Sequence, residues 1–335
     1  MTARPAHPAV RHTAKALITL NLMIVLAVLV PSWLVSALGY RSLAGIAMLA
    51  AVSALLLSLM RAWRSALLIV IPFAIASSLA VVFAHNAWLA ALLMALVAGA
   101  LGPAAERGLN SSLTTIPIAI GFIISTPPSS TESGPSWLLV GIVTIVSMGW
   151  AILAGYVCRR WTPTLPHGTA LGPRLSRWYG AILAILTGMA AWFVVTLGLG
   201  HSGGWLILTI VIVYQPYLQD GFRKALQRAG GTVVGFLVAL GIGLVITNVT
   251  ALLVIGTVVM VIAASLMALR KPYWIYAIFL TIAIVLLEGS GSNLFETDRN
   301  RLIATLIGVG VSLVAIILLR PFARSAAQRK GLTHY

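Results

Sequence analysis

The stretch Trp205–Gly235, WLILTIVIVYQPYLQDGFRKALQRAGGTVVG, holds the chain's organisation in miniature. An apolar run ends at Tyr214-Gln215-Pro216. A basic amphipathic segment follows from Asp220 to Arg228, and a second apolar run opens at Gly230-Gly231. A lipid-crossing α-helix needs about 20 predominantly apolar residues. Reading outward for such runs gives Leu17–Leu38, Leu43–Met60, Ala66–Phe83, Ala87–Leu101, Leu113–Thr126 and Trp137–Val157 in the first half. The second half gives Tyr179–Leu199, Gly203–Pro216, Ala229–Thr247, Ala251–Leu269, Tyr273–Leu287 and Leu302–Leu319. Gly203–Pro216 is short for a straight crossing. The expected fold is an all-α integral membrane protein with about twelve transmembrane helices, because a helix satisfies its own backbone hydrogen bonds in lipid. Segments of alternating polarity, the mark of a membrane β-barrel, are absent from the sequence.

Composition agrees. Of the 335 residues, 60% are hydrophobic and 8% charged, with a mean hydropathy of +1.03; a soluble domain carries about 25% charged residues. The formal net charge is +16. Nucleic-acid binding would gather that charge on one soluble face, whereas here the basic residues punctuate apolar runs. Placing the N-terminus in the cytoplasm puts 19 of the 22 Lys+Arg residues on one side, leaving only Arg41, Arg299 and Arg301 on the other. This is the positive-inside pattern, and it predicts both termini inside. Trp33, Trp63, Trp88, Trp137, Trp161, Trp178, Trp205 and Trp274 fall near span ends, where an aromatic belt is expected. The first run exceeds the 7–15-residue core of a signal peptide and is read as a retained span. Cys158, the single cysteine, excludes an internal disulfide.

The halves share a pattern offset by about 160 residues. A basic patch precedes each third span, at Arg61–Arg64 and Arg223–Arg228. A loop with Gly, Ser and an acid precedes each sixth span, with Glu132 and Glu296, and each sixth span runs into arginine, at Arg159-Arg160 and Arg320. Six spans is an even number, so the copies are expected to be parallel repeats. The resulting divisions are a cytoplasmic tail 1–16, a six-helix repeat 17–157, a cytoplasmic linker 158–178, a second six-helix repeat 179–320 and a tail 321–335. The linker is too short for a folded catalytic domain.

Enzymatic chemistry is not expected. Gly200-His201-Ser202-Gly203-Gly204 fits G-x-S-x-G, but that elbow needs a strand-to-helix turn and a base. The only histidine after Ser202 is His334, so the motif reads as a glycine turn between spans. No metal-ligand spacing and no phosphate-binding loop occur, and no cofactor is expected. His85 beside Asn86 reads as a solvated loop residue.

A short Pro-terminated span beside a Gly-opened one marks many transporter binding sites. The candidate substrate-contacting residues are therefore Trp205, Tyr214, Gln215, Lys224 and Arg228. A helix N-terminus near Arg228 would add attraction for an anion, against the alternative that Arg223, Lys224 and Arg228 only snorkel to head groups. Asp220 and Glu288 are the candidate proton-coupling carboxylates, beside the alternative that each is merely solvated. Gly231 and Gly235 form a small-xxx-small pair suited to close helix packing.

Trp205, Leu208-Thr209, Gln215-Pro216, Gln227-Arg228, Gly231-Thr232 and Gly235, with Tyr273–Thr281, Arg301-Leu302 and Thr305–Gly308, resemble the fusaric acid resistance protein family, the FUSC-like membrane domain, across about Trp205 to Pro321. The resemblance implies a bacterial inner-membrane exporter of aromatic or other small organic acids, with proton motive force as the candidate driving force. Longer members carry a sizeable cytoplasmic region that this chain lacks. Plant aluminium-activated malate channels look distantly similar, which keeps a gated anion channel as an alternative; a non-transporting membrane scaffold is another. The expected partners are the lipid bilayer and a small anionic organic substrate, with no nucleic acid and with homo-oligomerisation open.

Overall fold

The computed structural model describes residues 19, 22–128, 136–162, 164, 165, 167–214, 218–246, 248–268, 272–288, 302–315 and 317. Among these the secondary structure is helical throughout. The apolar helices are α1 (Leu22–Ala37), α2 (Ala44–Leu59), α3 (Trp63–Phe83), α4 (Ala87–Glu106), α5 (Asn110–Ser125) and α6 (Ser136–Val157). They continue with α7 (Pro173–Thr196), α8 (His201–Val213), α9 (Leu218–Val245), α10 (Val249–Ala268), α11 (Tyr273–Glu288) and α12 (Leu302–Ala315). Among the described residues, six helices are long and apolar enough to cross a membrane, and the apolar stretches of the others run to 10–17 residues, Thr250–Ala263 within α10 among them. Each helix falls on one of the apolar runs read from the sequence. At about 1.5 Å per residue the 13 residues of α8 span roughly 20 Å, short of a hydrocarbon core of about 30 Å.

Proline explains the irregular helices of the first half. A proline lacks the amide donor and its ring clashes with the carbonyl four residues earlier. Pro31 follows a π-helical turn at Val25–Leu29. Pro103 sits four residues after the break at Gly99, and Pro117 four residues after the break at Leu113. Pro72, by contrast, lies inside an unbroken α3.

The helix ends sort onto two faces. On one face the linker after α6 hydrogen-bonds back across the bundle: Leu165 N donates to Leu59 O (3.0 Å), Gly168 N to Gly108 O (2.9 Å) and Leu171 N to Ala105 O (3.0 Å). Arg61 joins the same face, its guanidinium donating to the Arg159 and Thr162 carbonyls. The basic loops of the first half are thus physically gathered together. On the opposite face the Asn86 side chain caps α4 by accepting from Trp88 N and Leu89 N, both at 3.1 Å. Asn248, 162 positions later, caps α10 by accepting from Ala251 N at 3.0 Å.

The halves are fastened chiefly through α4 and α7. A Cβ at Gly102 would lie 2.9 Å from Ser176 O, and one at Gly180 only 2.7 Å from Gly99 O. Two backbones can approach that closely only because neither carries a side chain there. The Ser176 hydroxyl donates to the Gly102 carbonyl across the same crossing.

Candidate functional site

Helix α9 begins earlier than the sequence reading has it. The stretch 220–228 is helical and continuous with the apolar run, so α9 starts at Leu218. Phe222 to Gln227 are tolerable or good helix formers, and Gly221 is the one glycine between Leu218 and Gln227. Two corrections follow. Gly230-Gly231 does not open a helix, so no free N–H groups or dipole end are presented there. Arg228 lies ten residues inside α9, roughly 15 Å along its axis.

Arg228 is only 1% exposed, whereas every other described arginine is exposed or half-buried. A guanidinium stays protonated in proteins, and an unpaired buried charge costs several kcal/mol. The Tyr273 hydroxyl, at the start of α11, is close enough to interact with Arg228, and Tyr276 lies within electrostatic range. Even so, Arg228 Nε and Nη1 and Tyr273 Oη make no hydrogen bond of proper geometry. Thr232, one helical turn after Arg228, is 3% exposed with its hydroxyl also unpartnered. On α12 the buried hydroxyls of Thr305 and Ser312 are likewise unsatisfied. Buried polar groups are ordinarily bonded, so Arg228, Thr232 and Tyr273 on α9 and α11 form the candidate site, while other unsatisfied buried groups such as Ser77 Oγ and Trp192 Nε1 lie elsewhere in the bundle.

Close packing of α9 on α11 holds Arg228 there. A Cβ at Gly231 would lie 2.7 Å from Ala277 Cβ, and one at Gly235 would lie 2.7 Å from Ile278 O. Successive turns of α9 therefore meet successive turns of α11 in the same direction, and the two helices run parallel. Ala225 and Ala229, flanking Arg228, pack with Val213, Val309 and Leu313, which brings α8 and α12 to the same level.

The remaining expected site residues are dispersed. Trp205 does not sit in an interfacial belt; it is 3% exposed, its ring edge-on to Phe122 at 5.1 Å and 6.1 Å from the His201 ring. Gly204 lets Phe122 approach, since a Cβ there would lie 2.4 Å from that ring. His201 and Ser202 form the first turn of α8 rather than a loop, following Gly200 at φ +53°. Tyr214 lies at the other end of α8, 5% exposed and stacked on Tyr179 with centroids 6.0 Å apart. Trp205 and Tyr214 thus stand at opposite ends of α8. Asp220, Lys224 and Glu288 have helical backbone but side chains outside the described residues, and Gln215 lies outside them altogether. Arg223 is exposed. Tyr273, Tyr276 and Thr232 are not among the site residues read from sequence, though all three stand inside the resembling motifs, which is the available signal.

The family model of fusaric acid resistance protein-like proteins matches residues 183–315. That range contains α8 to α12 and every residue of the Arg228 grouping. No curated protein and no solved structure matches the chain. Over residues 183–315 the chain is similar to fusaric acid resistance protein-like proteins, and its apolar helices are those of a multi-pass membrane protein.

Proposed function

We propose that this protein is a secondary transporter of the bacterial inner membrane that exports small organic acids, acting without a covalent step. The observation that carries this reading is Arg228: a permanent positive charge, 1% exposed, in a matched segment and without an ion-pair partner among the described residues. Charge inside a membrane domain is costly and usually marks a substrate or ion pathway. The shortness of α8, the helix that brings Val213 to the Arg228 level, adds the discontinuity common at transporter sites. In this reading all the apolar helices cross the bilayer, the shorter ones where the bundle thins it, as two parallel repeats. The arginine-rich linker face is cytoplasmic, so acids meet the positive loops first. Proton motive force drives export, with Asp220 and Glu288 as the carboxylates to test.

Uptake of labelled benzoate into proteoliposomes, with and without an imposed pH gradient, tests the reading. Accumulation that follows the gradient and exceeds that in protein-free liposomes, into which neutral benzoic acid diffuses unaided, is expected. Conductance in planar bilayers without any gradient would replace the exporter with a channel, and no flux under either condition would reject transport.

A further inference from the structure

The corner where the start of α3 meets the end of α6 holds a device that the transport reading does not use. Helix α2 ends in a Schellman turn: Arg61 N donates to Ser58 O and Ala62 N to Leu57 O, both at 3.0 Å. That turn sets Arg61 at φ +59°, the left-handed conformation where glycine is the usual residue. Among the described residues no other non-glycine residue has a positive φ. Strain that a glycine would relieve points to a use for the side chain. The Arg61 guanidinium donates to the Arg159 carbonyl and, at 3.4 Å, to the Thr162 carbonyl. Trp161 N and Thr162 N both donate to Cys158 O, at 2.9 and 3.1 Å. Main chain 158–162 is thereby held as a fixed turn that carries Arg159, Arg160 and Trp161.

Aromatic rings complete the corner. Trp63 meets Tyr156 edge-on with centroids 5.6 Å apart, and Arg159 Cζ lies 3.8 Å from the centroid of the Tyr156 ring. Arg64, Tyr156, Arg160 and Trp161 are exposed, and so are Leu68 and Leu153, one turn further into each helix. The chain has no Asp or Glu from Met1 to Ala105 or from Ser133 to Gln219, so the segments that build this corner contain nothing to offset its arginines. We infer that the corner binds the headgroup of one anionic phospholipid, with the phosphodiester on Arg64, Arg159 and Arg160 and the acyl chains along Leu68 and Leu153. Guanidinium forks match phosphate oxygens, and exposed tryptophan and tyrosine rings sit at headgroup level. Free inorganic phosphate would meet the arginines and forgo the rings and leucines. A zwitterionic headgroup would bring an ammonium that the arginines repel. The turn held by Arg61 separates this site from the general attraction of basic loops to an anionic leaflet, because its groups are ordered before the lipid arrives.

The test places the full chain in phosphatidylcholine nanodiscs containing a minor fraction of phosphatidylglycerol and counts the lipids it retains by native mass spectrometry. Retention of one phosphatidylglycerol in preference to phosphatidylcholine is expected. The pair Arg159→Gln and Arg160→Gln should lower that retention about tenfold or more. Arg159→Lys with Arg160→Lys should lower it less, because the charge stays and the fork is lost. Arg174→Gln with Arg177→Gln removes two exposed arginines at the start of α7 on the same face, matches the loss of charge, and should leave retention unchanged. Arg61→Gly keeps the Schellman turn without its strain but frees the Arg159 and Thr162 carbonyls, so retention should fall several-fold with Arg159 and Arg160 still present. Equal losses in the two glutamine pairs would reduce the effect to general attraction and overturn the site. Equal retention of both lipids by the unaltered chain would overturn it too, and undiminished retention in Arg61→Gly would overturn the role of the turn.

Discussion

At the residue scale, buried position and chemical type make different demands, and the pair Gly230 and Gly231 separates them. A side chain at Gly231 would strike Ala277 and the Trp274 carbonyl, whereas a Cβ at Gly230 would meet nothing within 4 Å. Gly231→Leu is therefore expected to lower stability by roughly 1–3 kcal/mol, the usual cost of overpacking. Gly230→Ala should be neutral or stabilising by up to about 1 kcal/mol through helix propensity. Unfolding in detergent by heat or denaturant reads both, and equal behaviour of the two variants would contradict the α9–α11 contact. Tryptophan supplies a second contrast. Trp205 is packed on Phe122 and His201, while Trp178 is 59% exposed. Trp205→Ala should cost about 3–5 kcal/mol and Trp178→Ala close to nothing, as the same melts would show. From sequence the two are alike, since both stand near a span end. What distinguishes them is the ring of Phe122, 83 positions from Trp205 in the chain, and no local pattern announces so distant a neighbour.

At the element scale, the apolar helices were legible because lipid demands a run of fixed length and the alphabet to write it is small. The proline-linked breaks were less so, since Pro31, Pro103 and Pro117 accompany irregular turns while Pro72 lies in an unbroken helix. The start of α9 was not legible. A basic amphipathic stretch reads equally as an interfacial turn or as helix, and α11, which begins 45 positions after Arg228, decides between them by packing on it. Burial of Arg228 is a consequence of that meeting and could not be read from Gln227-Arg228 alone. The linker shows a related effect, since a segment rich in Pro and Gly is pinned by backbone hydrogen bonds to Leu59, Ala105 and Gly108. Arg61 ties it further through the Arg159 and Thr162 carbonyls. Arg61→Ala should therefore speed tryptic cleavage between α6 and α7 several-fold in otherwise folded protein. An unchanged cleavage rate would mean that Arg61 does not hold the linker.

At the scale of the whole molecule, the claim beneath all others is that the chain crosses the membrane repeatedly, with its arginine-rich turns gathered on a single face. Hydrogen bonds around the linker collect the α2–α3, α4–α5 and α6–α7 ends on that face, and the parallel run of α9 and α11 continues the alternation into the second half. The charge pattern anticipated this gathering because each loop must lie where the others of its parity lie. Site-directed accessibility labelling tests it most directly. Single cysteines at Arg107→Cys, Arg223→Cys and Asn86→Cys would be introduced with Cys158→Ser and probed with a membrane-impermeant maleimide in vesicles of known orientation. The account predicts that positions 107 and 223 label only from the cytoplasmic side and position 86 only from the other. Labelling of position 223 from the same side as position 86 would contradict it.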